Sequence, residues 1–311
     1  MKKSLLKVNK LETNYYKDNE TLYVLNDVSF KLYEDEVVVL ISEQNIFRQG
    51  LIYSLMGTID KPLGKVTRGE ICFKGKSILD MNERELRQIR GNKISAISDT
   101  GISGLNPRLK IGYQIKESLI IHKKSKREDR DKRVKKLLER LGVEDIGKVY
   151  ESYPYQLDEK TIYIVHLAIG LICRPEILII NSTSKSLDKK ERIGIYNLLK
   201  EIKRELSLSI LFMTNDLEAV DEIADRVIIV NKGILLEDSP IKIFSKEPLH
   251  PYSKRLVNND IGKEKEWDLR SKSYSCIFYN KCSERRESCF KYLPEYFTLK
   301  EGEKVRCILY R

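Results

Sequence analysis

The sequence predicts an α/β fold, and three observations support that prediction. Short apolar runs rich in Val, Ile and Leu recur along the chain, as is typical of strands buried on both faces. Stretches with apolar residues at helical spacing lie between these runs. Turn and cap residues, such as Glu34-Asp35-Glu36, join the two kinds of segment. Strands and helices that alternate in this way predict a layered core around a parallel sheet.

Each element follows from its own pattern. Strands are predicted where a run is apolar throughout or alternates apolar and polar residues, at residues 6–16, 25–32, 37–41, 69–73, 177–180, 209–213 and 226–230. Helices are predicted where the apolar spacing is helical, at residues 48–56, 82–89 behind an Asn82 cap, 127–141, 161–173, 189–206 and 217–224. Residues 37–56 therefore form a strand, loop and helix unit.

Two parts of the chain differ in character. Residues 1–250 carry the alternating pattern and predict one α/β domain, in which about 80–160 is an inserted helical subdomain. From His250 onward the pattern is irregular, charged and aromatic, and four of the six cysteines lie in the final 36 positions. Residues 251–311 therefore predict a small, separate, cysteine-containing module.

The composition is that of a soluble chain with room for a sizeable core, since 41% of its 311 residues are hydrophobic and 33% are charged. The longest apolar stretches, 37–41 and 164–173, are far shorter than the roughly 18 to 20 residues of a bilayer crossing. The first ten residues lack the apolar region of a secretory signal. We expect neither a transmembrane segment nor a signal peptide.

The formal net charge of +11 does not by itself indicate a nucleic-acid partner. Basic and acidic residues are interleaved along the chain, as in residues 122–140. That arrangement favours a solvated helix face, and we expect no nucleic-acid binding.

Several short segments occur in an order that carries a family resemblance. They are residues 64–69, 86–89, 94–95, Leu105-Asn106-Pro107, Tyr153-Pro154, 222–227 and Pro248-Leu249-His250-Pro251-Tyr252. Over about residues 6–311 the sequence resembles the ATP-binding subunits of oligopeptide and dipeptide ABC importers. The resemblance implies an ABC-type ATPase core, related to P-loop NTPases, with a helical subdomain. In that family two ATPase subunits enclose two nucleotides beneath a pair of membrane subunits.

The phosphate-loop segment, residues 42–49, departs from the motif that the resemblance implies. In place of G-x-x-x-x-G-K-[ST], Ser42 and Phe47 stand at the glycine positions, Arg48 at the lysine and Gln49 at the magnesium-binding hydroxyl. Side chains at the glycine positions obstruct the close approach of backbone N–H groups to phosphate. We expect binding of ATP and magnesium to be weak or absent.

Other catalytic positions implied by the resemblance are also substituted. Asn181 and Ser182 stand where an aspartate would help hold magnesium and a glutamate would polarise the attacking water. Asp99 replaces a glutamine, and Asn215 replaces a histidine. No catalytic residue of the family is therefore intact in this sequence.

The signature segment, which in the family meets the nucleotide of the partner subunit, reads Asp158-Glu159-Lys160 instead of Ser-Gly-Gly. A helix N-terminus suited to a phosphate thus carries two acids. Since each site uses one subunit's loop and the other's signature, both sites of a heterodimer are expected to be impaired.

A few family positions survive. Asp188 lies in the inter-subunit loop, and Thr214 and Asp216 flank the lost histidine. These residues indicate either a retained dimer surface or ordinary strand-end and cap positions. Tyr15 or Tyr16 occupies the place of an adenine-stacking aromatic, although an alternating strand residue is the competing interpretation.

Four C-terminal cysteines are a candidate metal centre: Cys276, Cys282, Cys289 and Cys307, separated by five, six and seventeen residues. A reducing compartment favours metal over disulfide. The family shares this spacing, and in some members it holds a four-iron four-sulfur cluster. A tetrahedral zinc site and unrelated buried thiols remain open.

Taken together, these features predict a degenerate, non-hydrolytic ABC subunit, peripheral on the cytoplasmic face of the membrane, with an architectural or regulatory role. Its expected partners are a second ATPase subunit and two transmembrane permease subunits, with peptide reached only indirectly. Three alternatives stay open: a free-standing iron–sulfur sensor or adaptor, a decaying paralogue, and an ATPase that works through unorthodox residues.

Overall fold

The computed structural model describes residues 3–60, 62–98, 101–182, 187–260, 268–299 and 302–311. The strands are β1 (Ser4–Lys17), β2 (Glu20–Tyr33), β3 (Val37–Ile41), β4 (Gly64–Phe73), β5 (Lys76–Ser77), β6 (Ile94–Ser98), β7 (Ile177–Asn181), β8 (Ser209–Thr214), β9 (Arg226–Asn231), β10 (Ile234–Pro240), β11 (Phe297–Thr298) and β12 (Lys304–Val305). The helices are α1 (Asn45–Met56), α2 (Glu83–Ile89), α3 (Ile111–Ile121), α4 (Arg130–Arg140), α5 (Ile146–Glu151), α6 (Glu159–Leu171), α7 (Lys189–Leu206), α8 (Glu218–Ile223), α9 (Ile241–Phe244), α10 (Pro251–Val257) and α11 (Glu287–Lys291).

The chain forms two compact units. The first contains residues 1–80 and 213–311, and the second contains residues 81–212. The C-terminal residues 251–311 thus belong to the same unit as the N-terminal strands. The second unit includes the stretch of about 80–160 predicted as helical.

An antiparallel sheet in the first unit has the strand order β2-β1-β4-β5. Alternating apolar residues of β1 and β2 meet across it, since Leu6 pairs with Leu32 and Val8 with Phe30, and all four are buried. This period of two places one face of each strand in the core. The face continues onto α1 through the hydroxyls of Thr13 and Ser54, which lie 2.8 Å apart.

A second run of strands in the first unit has the order β11-β12-β10-β9-β3. β3 pairs with β9 in parallel, and all five of its residues are buried, as its continuous apolar sequence predicts. β10 and β12 then add antiparallel neighbours. The C-terminal segment is therefore hydrogen-bonded into the sheet that carries the phosphate-loop segment.

A buried ion cluster joins β9, β10 and the turn that precedes β3. The Arg226 Nε donates to Glu36 Oε1 at 2.8 Å, and its Nη1 donates to Asp238. Burial alone would lower the pKa of Arg226, but the carboxylates of Asp238 and Glu36 raise it overall. The guanidinium consequently stays charged, and it satisfies two carboxylates that are themselves buried.

The second unit packs helices against the strands in the order β8-β7-β6. β6 and β7 are parallel, with Ile97 opposite Ile180. Close packing of α6 explains Gly170, because a Cβ there would lie 2.9 Å from Ile97 Cγ2. Gly112 of α3 similarly admits the ring of Tyr150, which would lie 2.4 Å from an added Cβ.

The predicted α/β architecture agrees with this layout, with differences at element ends. A strand, β6, interrupts the stretch predicted as helical, because its five residues, which mix apolar residues with two serines, are too few to distinguish strand from helix. α1 begins at Asn45 instead of at residue 48. The Asn82 cap is confirmed, with its side chain accepting from the Glu85 N–H. Among the described helices, none combines the length and apolar character needed to cross a bilayer.

Candidate functional sites

The phosphate-loop segment contains only a short connection between strand and helix. β3 ends at Ile41 and α1 begins at Asn45, so Ser42, Glu43 and Gln44 alone join them. A phosphate cradle requires an extended glycine-bearing loop whose backbone N–H groups surround the anion. Here the second half of the segment is already helical, so such a loop is not formed.

Arg48, at the lysine position of the motif, is directed inward. It is only 2% exposed, and its Nη1 donates a hydrogen bond to the carbonyl oxygen of Ser42. Burial lowers the pKa of Arg48 to about 10, which leaves the guanidinium charged at neutral pH. The cation that would face a phosphate is therefore bonded to the backbone of its own segment.

The neighbouring positions of the segment are also part of the core. Phe47 is 2% exposed, and Ser42 is buried, with its N–H donating to the Thr214 carbonyl at 2.9 Å. Gln49 is half-buried. Gly50 lies so close to β2 that an added Cβ would meet Val24 at 2.5 Å. Aromatic packing thus fills the place where the motif has its second glycine.

The C-terminal segment borders the same region. Residues 268–270 and residues 44–46, at the start of α1, line one open cleft. The Leu269 carbonyl accepts from the Tyr23 N–H at 2.7 Å, and Arg270 pairs with Glu20 at 3.5 Å. Backbone and charge contacts therefore hold this segment against β2.

The two candidate adenine-stacking tyrosines lie on opposite faces of β1. Tyr15 packs against Gly64. Burial raises the pKa of its phenol, and the electrostatic effect of Tyr53 in α1 raises it further. Tyr16 has the Lys65 ammonium 5.8 Å from its ring centre. Tyr15 therefore contributes to packing beside α1, and the stacking role of either residue stays a prediction.

The end of β7, in the second unit, carries no carboxylate. Asn181 is 3% exposed and Ser182 is 4% exposed, so both are buried polar residues. Asn181 pairs with Ser98 of β6 in parallel register. Asp99, one position further on, lies outside the described residues. The strand end therefore offers neutral amide and hydroxyl groups where magnesium and water chemistry would need anions.

The signature segment opens α6. Asp158 is the N-cap, and its Oδ1 accepts from the Thr161 N–H at 2.8 Å. That bond is the main reason for the lowered pKa of Asp158. Glu159 and Lys160 are exposed in the first turn. The substituted aspartate therefore has a local structural role as a helix cap.

The surviving family positions also act as caps and turns. Asp188 caps α7 in a capping box with Glu191. The Thr214 hydroxyl accepts from the Asp216 N–H at 3.0 Å, and Asn215 between them is exposed. These contacts explain the residues locally, and a dimer-surface role stays a prediction.

The four C-terminal cysteines line a single cavity. The Cys276 N–H donates to the Cys289 carbonyl at 2.9 Å, so a backbone hydrogen bond joins the chain at these two cysteines. Cys289 and Cys307 are buried, and Cys276 and Cys282 are partly exposed. The four cysteines, which are separated by five, six and seventeen residues in the sequence, therefore lie around the same cavity in the structure.

The surroundings raise the pKa values of three of these thiols. Burial raises the pKa of Cys276 to about 11, and the other three thiols add to that effect. Burial also raises the pKa of Cys282 and of Cys307. Thiols in such a place are neutral without a cation, because negative charges would be desolvated and crowded together.

No metal-binding group is evident from the side-chain arrangement alone. Within the part of the chain that the structure describes, no set of three or more His, Cys, Asp or Glu side chains is placed to hold a metal ion. The shared cavity and the mutual effect of the thiols on their pKa values are the observations that fit a centre of four sulfur donors.

Sequence reasoning did not single out His250 as a site residue, although the structure brings it to the same cavity. It is 1% exposed and caps α10, with its Nδ1 accepting from the Tyr252 N–H at 3.0 Å. Burial lowers the pKa of His250 to about 3. A histidine directly before a proline that opens a helix was the available sequence signal.

Comparison with known proteins identifies the family. The chain is 31% identical over 318 residues to the oligopeptide transport ATP-binding protein AppD of Bacillus subtilis strain 168, covering 99% of this chain and 97% of that protein. It is also 31% identical over 316 residues to the dipeptide transport ATP-binding protein DppD of the same organism, covering 98% and 94%. The chain belongs to the oligopeptide and dipeptide ABC transporter ATP-binding proteins. The predicted resemblance is confirmed.

Solved structures agree on the fold of this family member. A dimeric bacterial ABC transporter cassette superposes with a TM-score of 0.67 at 22% identity, covering 76% of this chain and 98% of the cassette. cbiO1 from Clostridium perfringens, part of the ABC transporter complex cbiONQ, gives 0.66 at 21% identity, covering 79% and 92%. The ABC cassette fold is therefore confirmed. No protein-family model matches the sequence.

Family membership sharpens the meaning of the substituted positions. The relatives are named as ATP-binding proteins. This family member has Arg48 bonded inside its phosphate-loop segment and neutral residues at the end of β7. The fold of the family is therefore present, and the loss of its nucleotide chemistry at these positions stays a prediction.

Proposed function

We propose that this chain is a peptide-importer subunit that does not hydrolyse ATP at its own phosphate-loop segment and has an architectural or regulatory role beside a second ATPase subunit. The contact between Arg48 and the Ser42 carbonyl carries the proposal. A guanidinium committed to that carbonyl takes up the space and the hydrogen-bond direction that a phosphate oxygen would need.

Restoring access to phosphate would be costly for the fold. Moving Arg48 outward would leave the buried Ser42 carbonyl without this donor, and an unmet buried acceptor costs about 1–3 kcal/mol. The Phe47 ring would still fill the second glycine position, since it is 2% exposed. Nucleotide binding thus has to overcome packing as well as the lost motif.

The absence of carboxylates at the end of β7 affects the rate of ATP hydrolysis. A positioned general base contributes about 10²- to 10⁴-fold to rate, and Asn181 and Ser182 supply none at the end of β7. A hard cation such as magnesium also prefers anionic oxygen ligands. Nucleotide that did bind would therefore be hydrolysed slowly.

The relatives' names support the transport role in this proposal, and the partners follow from the family resemblance. They are transport ATP-binding proteins for oligopeptides and dipeptides. Two transmembrane permease subunits and a second ATPase subunit complete the complex, which places this chain peripherally on the cytoplasmic face of the membrane. Peptide is reached only through the permease subunits.

The cysteine cavity completes the proposal. Cys276, Cys282, Cys289 and Cys307 hold a four-iron four-sulfur cluster, for which four thiolates are sufficient ligands. The donor set fits, since all four thiols line one cavity and a metal cation would stabilise the thiolate form of each. Zinc is the competing occupant, and elemental analysis distinguishes the two.

Affinity purification of the tagged chain from gently solubilised membranes of its own cell tests the assembly. Mass spectrometry is expected to find two polytopic membrane proteins and a second ABC ATPase. Recovery of the chain alone would contradict the importer role and favour a free sensor, adaptor or relic.

ATPase assays of the purified complex then test whether the phosphate-loop segment contributes to hydrolysis. Arg48→Met retains bulk but removes the guanidinium, and we expect it to leave the magnesium-dependent ATPase rate within twofold of the native complex. Gln49→Ala is the matched control at the next position. A rate abolished by Arg48→Met, with the complex intact, would show that the segment is catalytic after all.

A further inference from the structure

His250 stands where the sheet, a helix and the cysteine cavity meet. Its backbone N–H donates to Glu237 Oε2 at 2.9 Å, and its ring caps α10. The same Glu237 accepts from the Leu249 N–H at 3.0 Å. One hydrogen bond therefore fixes the backbone of His250 and another fixes its ring. The imidazole cannot rotate away without breaking the N-cap of α10.

The cap decides which ring nitrogen carries the proton. Nδ1 accepts from the Tyr252 N–H at 3.0 Å, so in the neutral ring the proton lies on Nε2. The ring is neutral because it is buried. Nε2 is therefore an N–H donor.

That donor has no partner among the described residues, although it is buried. Buried N–H groups are almost always paired, and an exception points to a group that binds there. His250 lines the same cavity as the four cysteines. A metal-bound sulfur is the acceptor that this cavity would supply.

We propose that His250 donates a hydrogen bond from Nε2 to an anionic sulfur of the cysteine-bound centre and thereby tunes its electronic properties. This rests on the metal centre proposed above. His250 is a positioning residue and not a fifth ligand, since its Nε2 carries a proton. Hydrogen bonds to sulfur stabilise added negative charge, so this bond raises the reduction potential of an iron–sulfur cluster.

His250→Asn is the discriminating variant. The Asn side chain is among the best N-caps and retains an acceptor for the Tyr252 N–H, but it is too short to replace Nε2. Tyr310→Phe is the control, because it removes a 2.9 Å bond to the Leu249 carbonyl without removing a donor next to sulfur. All measurements use the full-length chain.

After anaerobic reconstitution with iron and sulfide, redox titration followed by electron paramagnetic resonance measures the midpoint potential. We expect His250→Asn to retain iron but to titrate at a more negative potential than the native chain, and Tyr310→Phe to be unchanged. Equal potentials in the native chain and His250→Asn would overturn the inference.

A measurement on the native chain covers the case in which His250→Asn does not fold. The sequence contains three histidines, so ¹⁵N-histidine labelling gives few signals in pulsed paramagnetic resonance. A coupling to one imidazole nitrogen supports the bond, and its absence overturns it.

Two further outcomes are informative. If the isolated chain holds only zinc, we expect His250→Asn to lose zinc to a chelator about 10-fold faster, and equal rates would refute the bond. If the native chain retains neither metal, the centre and the inference both fail, while the importer assembly stands or falls by its own copurification test.

Discussion

The substitution Phe47→Gly introduces the glycine that the family motif has at this position. It should lower the free energy of unfolding without restoring a nucleotide site. The ring is 2% exposed at the start of α1. Truncating a buried Phe to Ala costs about 3–5 kcal/mol. Glycine in a helix costs about 1 kcal/mol more than alanine. The expected loss is therefore about 4–6 kcal/mol, comparable with the whole stability of many domains.

Urea unfolding followed by circular dichroism measures that loss, and equilibrium dialysis with radiolabelled ATP and magnesium measures binding. Gln49→Gly is the matched control, because it lies in the same helix and is only half-buried, so its cost is about 1 kcal/mol. A Phe47→Gly variant as stable as Gln49→Gly, or one that gained ATP binding, would refute the reasoning that this segment has become core.

Three other substitutions test separate features. Arg226→Met leaves two buried carboxylates without their cation and should cost about 3–5 kcal/mol in urea unfolding. Arg270→Met, in exposed ion pairs, should leave the urea midpoint almost unchanged. Asp158→Ala should cost about 1 kcal/mol and Asp158→Asn almost nothing. Because the folded pKa of Asp158 is lowered, its contribution to stability is present at neutral pH and should fade as the pH falls through that pKa. The Asp158→Asn variant should not show this pH dependence. Gly112→Ala should lower thermal stability through a steric clash, whereas Gly194→Ala, with open space around it, should raise it.

Much of the fold was predictable because local pattern and tertiary environment agree. Residues 37–41 are apolar throughout, and β3 is buried at every position. Asn82 and Glu85 form the capping box that their spacing suggests. By contrast, β11 and β12 have two residues each and carry no periodicity. β12 pairs with β10, which lies more than fifty positions earlier in the sequence, and β11 pairs with β12.

The candidate sites were predictable in chemistry but not in geometry. Residue types alone show that the phosphate-loop segment lacks glycine and lysine. They do not show that Arg48 bonds to the Ser42 carbonyl, because that contact depends on the burial of its side chain in the folded protein. The role of His250 likewise depends on Glu237 and Phe278, which lie near it only in three dimensions. Such contacts are set by packing, and no local pattern encodes them.

The inward-facing Arg48 and the buried Phe47 also bear on the history of this chain. Once a phosphate loop has been converted into packed interior, a single reversion removes stability and returns no binding, because the neighbouring substitutions still block the site. Natural selection would then act only on the loss of stability. Under the function proposed above, recovery of a nucleotide site needs several simultaneous replacements, and no single one of them improves binding on its own.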